Sequence, residues 1–256
     1  MIEIHREELT GIPALHAVKS GNMKKELPLI FFVHGFTSAK EHNLHFAYLL
    51  ADKGFRVILP DAMLHGERAD GRTEAEMMYE FWNIVVNTIS ELDLMKNKLA
   101  AKGLINDHIG VVGTSMGGIV NFGALTQFNW IKAGVSLMGS PAYEAYARGQ
   151  IQALKREGTD IPYTDGELEE MYRQLKKYDL TMQPETLNGR PLFIWHGKKD
   201  PVVPFGLTYD FYTKIRNDYQ KHPERLQFLA DERAGHKVTR EALLKTVQWF
   251  TAFLKE

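Results

Sequence analysis

The sequence feature that most constrains the fold is a series of short apolar runs separated by stretches of helical character. The runs lie at about 29–33, 55–59, 108–112, 133–137, 192–195 and 226–229. Continuously apolar strands that alternate with helices are typical of a mostly parallel sheet covered on both faces. Two more strands are predicted at about 2–9 and 12–19, joined at Thr10-Gly11. The pattern predicts an α/β fold in a single domain spanning residues 1–256.

Helical periodicity predicts the elements that cover the sheet. Helices are expected at about 40–52, 73–102, 118–128, 141–157, 165–178 and 238–254. Thr73 with Glu76, and Thr164 with Glu167, have the spacing of capping boxes. About fifty residues before the run at 192–195 contain two helices and no strand pattern. We interpret the segment at about 141–185 as a small helical lid, although a crossover with an extra helix would have the same pattern.

Composition excludes several classes of function. The 256 residues have a formal net charge of −1, so no overall field favours nucleic acid or an anionic membrane. There is no cysteine, which excludes disulfides, thiolate–zinc sites and a cysteine nucleophile. No apolar run approaches the ~18 residues that span a bilayer, and the first ten residues lack a signal-peptide core. We therefore expect a cytoplasmic protein without a membrane span.

A nucleophile motif follows the apolar run at 108–112. The residues Gly113-Thr114-Ser115-Met116-Gly117 match the pattern G-x-S-x-G and stand between a predicted strand and a predicted helix. Side chains at 113 and 117 would collide with neighbouring backbone in so tight a turn. The turn also presents the serine hydroxyl at a helix N-terminus, where negative charge is favoured. Ser115 is the predicted nucleophile; the alternative is a structural glycine-rich turn.

A serine nucleophile needs a base and an acid later in the chain. His236 is the only one of the ten histidines between the last predicted strand and the last helix, so we assign it as the base. Asp200 follows the strand at 192–195 and would orient this histidine. A turn aspartate before proline is the alternative interpretation of Asp200. Asp231 and Glu232 are the fallback acids.

An oxyanion hole is expected from two backbone groups. One donor would be the N–H of Met116, the residue after the nucleophile. The other would be the N–H of Phe36, in the loop that follows the strand at 29–33. His65 and Arg68 also lie at a strand end. We interpret their loop as packing through a local hydrogen-bond network and assign them no catalytic role.

Together these motifs resemble the α/β-hydrolase superfamily. The series HGF at 34–36, PDxxxHG at 60–66, GTSMGG at 113–118, HGKKDPVVP at 196–204 and AGH at 234–236 is similar to small bacterial esterases. These esterases are grouped with dienelactone hydrolases and the prolyl-oligopeptidase catalytic domain. The resemblance covers about 26–254. It implies an eight-stranded, mostly parallel sheet and a Ser115-Asp200-His236 triad.

The same series departs from three relatives. Dienelactone hydrolases use a cysteine nucleophile, prolyl oligopeptidases carry a propeller for which 256 residues leave no room, and haloalkane dehalogenases would need aspartate at 115. We therefore predict a carboxylic ester hydrolase that acts on small-molecule esters, with short acyl chains and without a metal or organic cofactor. The alternatives are a thioesterase or small peptidase with the same triad, a non-catalytic ligand-binding protein, and a partner-binding module that uses the lid.

Overall fold

An eight-stranded sheet lies at the centre of the computed structural model, which describes residues 1–255; Glu256, the last residue of the predicted domain, lies outside them. The strands are β1 (Ile2–Leu9), β2 (Ile12–Lys19), β3 (Leu27–Val33), β4 (Arg56–Pro60), β5 (Ile105–Thr114), β6 (Ile131–Leu137), β7 (Leu192–Gly197) and β8 (Leu226–Asp231). Their order in the sheet is β1-β2-β4-β3-β5-β6-β7-β8. The β1–β2 and β2–β4 pairs are antiparallel and the other pairs are parallel. The predicted α/β-hydrolase sheet is confirmed.

Each face of the sheet is buried by its own set of helices. Along β3, the side chains of Phe31 and Val33 join one buried cluster, and those of Ile30 and Phe32 join the other. This alternation is the two-residue period of a strand, and because both faces are covered, both halves of the period are apolar. The parallel strands therefore have continuously apolar sequences.

Eight α-helices lie within residues 1–255. They are α1 (Leu44–Asp52), α2 (Glu74–Tyr79), α3 (Phe81–Ala101), α4 (Met116–Gln127), α5 (Tyr143–Arg156), α6 (Asp165–Leu175), α7 (Phe205–Ile215) and α8 (Arg240–Leu254). Helices α1 and α8 pack on one face of the sheet, and α3 to α7 contribute to the cluster on the other. Both predicted capping boxes, at the starts of α2 and α6, are present. None of the helices in the described residues combines the length and the apolar character that a membrane crossing requires.

The prediction of one continuous helix over 73–102 is wrong, because the segment divides at Glu80. The Glu80 N–H bonds to the Met77 carbonyl three residues back, which tightens the turn at the end of α2. The carbonyl of Tyr79 accepts a hydrogen bond from the Tyr163 hydroxyl at 3.0 Å. The Tyr79 carbonyl thus has a partner outside the helix at the point where α2 ends and α3 begins.

Candidate active site

Ser115 lies in a strained turn between β5 and α4. Its backbone has φ 54° and ψ −115°, a conformation that side chains larger than hydrogen rarely adopt. The turn is held by a hydrogen bond from the Ser115 N–H to the Leu137 carbonyl at 2.8 Å. The serine side chain therefore stands at the carboxyl edge of the sheet, immediately before the first turn of α4.

Two glycines make this turn possible. A Cβ at Gly113 would overlap the backbone of Gly117, and a Cβ at Gly117 would overlap the carbonyl of Val33. The collisions predicted at positions 113 and 117 are thus confirmed. They show that β3, β5 and α4 approach one another too closely for any side chain at these positions.

Ser115, His236 and Asp200 meet at the same edge of the sheet, in one hydrogen-bonded row. His236 Nε2 lies 2.8 Å from Ser115 Oγ, and His236 Nδ1 lies 2.8 Å from Asp200 Oδ2. A carboxylate can only accept, so Nδ1 carries the proton and Nε2 is left to accept from the serine hydroxyl. The chain brings these groups together because β5, β7 and β8 are parallel, and their carboxyl ends therefore lie on one side.

Asp200 is held as a buried carboxylate. Its side chain is fully buried, and its Oδ1 accepts from the N–H groups of Val202 and Val203 at 2.9 and 3.0 Å. His196 Nε2 lies 3.3 Å from its Oδ2. Burial favours the neutral acid, but hydrogen bonds from His196, His236 and the two backbone groups hold the pKa of Asp200 well below its ordinary range. The row therefore ends in a fixed negative charge.

The two fallback carboxylates have other partners. Asp231 Oδ1 accepts from the N–H groups of Arg233 and Ala234 and so shapes the turn that leads to His236. Glu232 pairs with Lys198 at 2.6 Å. Among the residues that the structure describes, Asp200 is the carboxylate that contacts His236.

The two predicted oxyanion donors are free of protein partners within residues 1–255. The N–H of Phe36 lies in the loop after β3, and the N–H of Met116 begins α4; neither donates to a carbonyl or side chain there. Phe36 lines the same cleft as Ser115. A small acceptor that forms beside Ser115 is the kind of group that such unpaired donors would stabilise.

A cleft of about 530 Å³ opens over Ser115 and His236. Apart from the loops of the sheet, its walls come from α2 and from the segment that follows β6. The lining residues from these two parts are Glu74, Ala75, Met78, Tyr79, Leu154 and Thr159. The two parts are joined, because the Tyr79 hydroxyl donates to the Asp160 carbonyl at 3.1 Å. The contribution of α2 to the cleft was not predicted, because the sequence pattern indicated one continuous helix over 73–102.

The loop containing His65 and Arg68 has the local hydrogen-bond network that was predicted. Arg68 donates to both carboxylate oxygens of Glu91, at 2.7 and 2.9 Å. The buried Lys40 ammonium lies 2.5 Å from Asp61 Oδ2. His65 Nε2 accepts from the Thr37 N–H at 3.0 Å. The loop after β4 is thereby fastened to the loop that holds Phe36.

Helix α5 supports the Asp200 loop, a contact that was not predicted from the sequence. Tyr146 is buried, and its hydroxyl donates to the Val202 carbonyl at 3.3 Å. Burial raises the pKa of this hydroxyl to about 12, so it is a donor throughout the neutral range. Tyr143, one turn earlier, donates to the Ile119 carbonyl at 2.7 Å. The first half of α5 is thus tied to α4 and to the loop that holds Asp200.

Comparison with known proteins gives a family match over most of the chain. Residues 41–256 match the prolyl oligopeptidase family. The chain is 50% identical over 255 residues to the Bacillus subtilis (strain 168) protein named "Putative esterase YitV", covering 99% of this chain and 100% of that protein. It is 36% identical over 208 residues to "Esterase YjfP" of Escherichia coli (strain K12), covering 80% and 81% of the two chains.

A solved structure has the same fold. TT1662 from Thermus thermophilus superposes with a TM-score of 0.75 at 20% identity, over 100% of this chain and 99% of that one. The predicted resemblance to α/β-hydrolases of the prolyl-oligopeptidase group is confirmed by these comparisons.

Proposed function

This chain belongs to the prolyl oligopeptidase family and is a serine hydrolase, and we propose that it cleaves carboxylic esters with Ser115 as nucleophile, His236 as base and Asp200 as the carboxylate that orients His236. The observation that supports the assignment most directly is the row of two 2.8 Å hydrogen bonds through His236. The names of the two curated relatives favour esters over amides. The sequence match and the geometry of this row both support the proposal.

In the proposed reaction, His236 Nε2 takes the proton of Ser115 Oγ as the oxygen attacks the ester carbonyl. The negative charge of Asp200 stabilises the imidazolium that forms. The N–H groups of Phe36 and Met116 donate to the oxyanion of the tetrahedral intermediate. The alcohol leaves with the proton from His236, and water then releases the acyl group by the same steps in reverse. All the protein groups that these reaction steps use belong to the described residues.

The substrates that we propose are small esters with short acyl chains. The cleft of about 530 Å³ falls within the usual range of small-molecule sites. Met78 from α2 and Leu154 from α5 line it, and in this proposal their side chains limit the length of the acyl chain. In this proposal the segment at about 141–185 is a lid in which the first half of α5 is fixed through Tyr143 and Tyr146.

Labelling with a fluorophosphonate probe tests the nucleophile. We expect wild type and Ser38→Ala to be labelled, and Ser115→Ala to be unlabelled and without esterase activity. Ser38 is a suitable control because it lies in the neighbouring loop and its hydroxyl contacts only His42 among the described side chains. An unlabelled wild-type protein would favour a non-catalytic ligand-binding protein instead.

A substrate series tests the reaction and its chain length. We expect p-nitrophenyl acetate and butyrate to be hydrolysed faster than the laurate ester, and all of them faster than matched thioesters and aminoacyl p-nitroanilides. A maximal hydrolysis rate on esters with long acyl chains would contradict the proposal that Met78 and Leu154 limit the length of the acyl chain. Faster cleavage of the anilides would favour peptide cleavage, the reaction that the family name suggests.

A further inference from the structure

Two buried histidines hold the peptide groups on either side of Phe36, and the reaction proposed above uses neither. His34 Nδ1 lies 2.7 Å from the Gly35 carbonyl, which belongs to the peptide that precedes Phe36. His65 Nε2 lies 3.0 Å from the Thr37 N–H, which belongs to the peptide that follows it. From the sequence, His65 was interpreted as part of a structural loop, and His34 had no separate predicted role.

The partners of the two rings fix their protonation. His34 Nε2 faces the Ala62 N–H at 3.1 Å, and His65 Nδ1 faces the Met63 carbonyl at 2.8 Å. A backbone N–H only donates and a carbonyl only accepts, so each ring carries its proton on Nδ1 and accepts at Nε2. A second proton on either ring would point at an N–H group. Both contacts across the two loops therefore require a neutral imidazole.

This arrangement determines where the Phe36 N–H points. In a trans peptide the C=O and N–H point in opposite directions. The Gly35 carbonyl is held by His34 and by the Ser38 N–H at 3.2 Å, so the Phe36 N–H of the same peptide faces away from both. His65 fixes the next peptide, and its ring also packs edge-on against the Phe36 ring, with centroids 5.5 Å apart. Rotation of the backbone is thus restrained on both sides of the oxyanion donor.

We propose that His65 is a positioning residue of the oxyanion hole, which together with His34 holds the Phe36 N–H toward the developing charge. The inference rests on the proposed function. The charged groups that face His65 are Asp61 and Arg68 of its own loop, and Arg68 is paired in turn with Glu91 of α3. Across the loops it faces His34, with ring centroids 5.1 Å apart. Burial lowers the pKa of both imidazoles, which keeps them in the accepting form.

The pair His65→Asn and His65→Gln separates this role from a general packing role. The amide of asparagine reaches about as far as Nδ1 of an imidazole, so it can donate to Met63 but not accept from Thr37. The amide of glutamine reaches about as far as Nε2 and restores an acceptor for Thr37. Since loss of a whole oxyanion donor typically costs ~10²–10³ in kcat, we expect H65N to lower kcat about 10- to 100-fold. We expect H65Q to stay within about threefold of wild type, and KM to change little in either.

Rates are expressed per serine labelled by the fluorophosphonate, so that unfolded molecules do not count. A trifluoromethyl ketone, which forms a tetrahedral adduct with serine, should bind H65N more weakly by about the factor lost in kcat/KM. His222→Gln, at an exposed histidine, is the control and should behave as wild type. Equal losses in H65N and H65Q, or no loss in H65N, would overturn the inference while leaving the proposed function intact. A wild type that neither labels nor cleaves esters would overturn both.

Discussion

Acidification should destabilise the folded protein steeply, because it contains histidines that stay neutral when buried. The side chain of His34 is fully buried, and burial lowers its pKa to about 4. In the unfolded chain the pKa of a histidine is about 6.5. At pH values between these two pKa values, the unfolded chain binds a proton that the folded protein does not bind. The free energy of unfolding therefore falls as the pH falls through this window. Above the window, the whole contribution of His34 to this free energy is present.

The expected loss follows from the two pKa values. A difference of about 2.5 units corresponds to about 3 kcal/mol for His34 over the whole window, of which about 2 kcal/mol is lost by about pH 5. His16 adds to the loss, since burial and the neighbouring Arg56 lower its pKa as well. Asp61 and Asp200, whose pKa values are also lowered, contribute stability that is lost only at more acidic pH. Domains are typically stable by ~5–15 kcal/mol, so the loss is substantial.

Urea unfolding at a series of pH values from about 7.5 to 5 measures this effect. The variant His34→Gln cannot take up a proton, so its free energy of unfolding should depend on pH less steeply than that of wild type, by up to about 1.4 kcal/mol per pH unit. The slopes are compared, because the substitution also changes stability at neutral pH. His222→Gln, at an exposed position, should retain the wild-type slope. A wild-type stability that is flat over this range, or an unchanged slope in H34Q, would refute the reasoning.

Two further predictions concern the acid and the turn of the nucleophile. Asp200→Asn should lower kcat by about 10⁴ in a p-nitrophenyl ester assay, because the imidazole loses the charge that orients it. The kcat of Asp231→Asn should stay near that of wild type, and equal losses of kcat in the two variants would contradict the choice of Asp200. Gly117→Ala should lower the free energy of unfolding by about 1–3 kcal/mol or more, since its Cβ would overlap the Val33 carbonyl. Gly149→Ala in α5 meets nothing within 4 Å and should gain up to about 1 kcal/mol; a G117A protein as stable as G149A in urea would contradict the steric argument.

Most of the sheet could be predicted because its signals are local. The bounds of β1 and β2 agree with the predicted 2–9 and 12–19, since a Thr-Gly turn separates two runs of strand character. The buried parallel strands were located by their apolar centres. Their ends were predicted less well: β5 extends over Ile105–Thr114, whereas only its apolar middle at 108–112 was expected. The outer residues include Asn106 and Asp107, whose side chains give no strand pattern.

Helix α7 was missed because its stability comes from packing. Its sequence contains Phe205, Gly206, Thr208 and several aromatic residues, which are poor helix formers, so the local pattern does not indicate a helix. In the structure the Thr208 hydroxyl donates to the Gly139 carbonyl at 2.8 Å. The ring of Phe211 packs against that of Phe122 in α4. These partners lie at least 69 residues away along the chain, beyond the reach of any local signal.

The residues of the site also fall into those that could be predicted from the sequence and those that could not. Ser115, Asp200 and His236 could be chosen from the sequence because each follows a strand of a parallel sheet, and the topology alone brings strand ends together. His65 also follows such a strand, yet nothing in the sequence distinguishes a histidine that acts as a base from one that positions the backbone. Its role depends on two backbone partners, the Met63 carbonyl and the Thr37 N–H. Every residue except proline offers both groups, so only their placement around the ring distinguishes His65 from the other nine histidines of the chain.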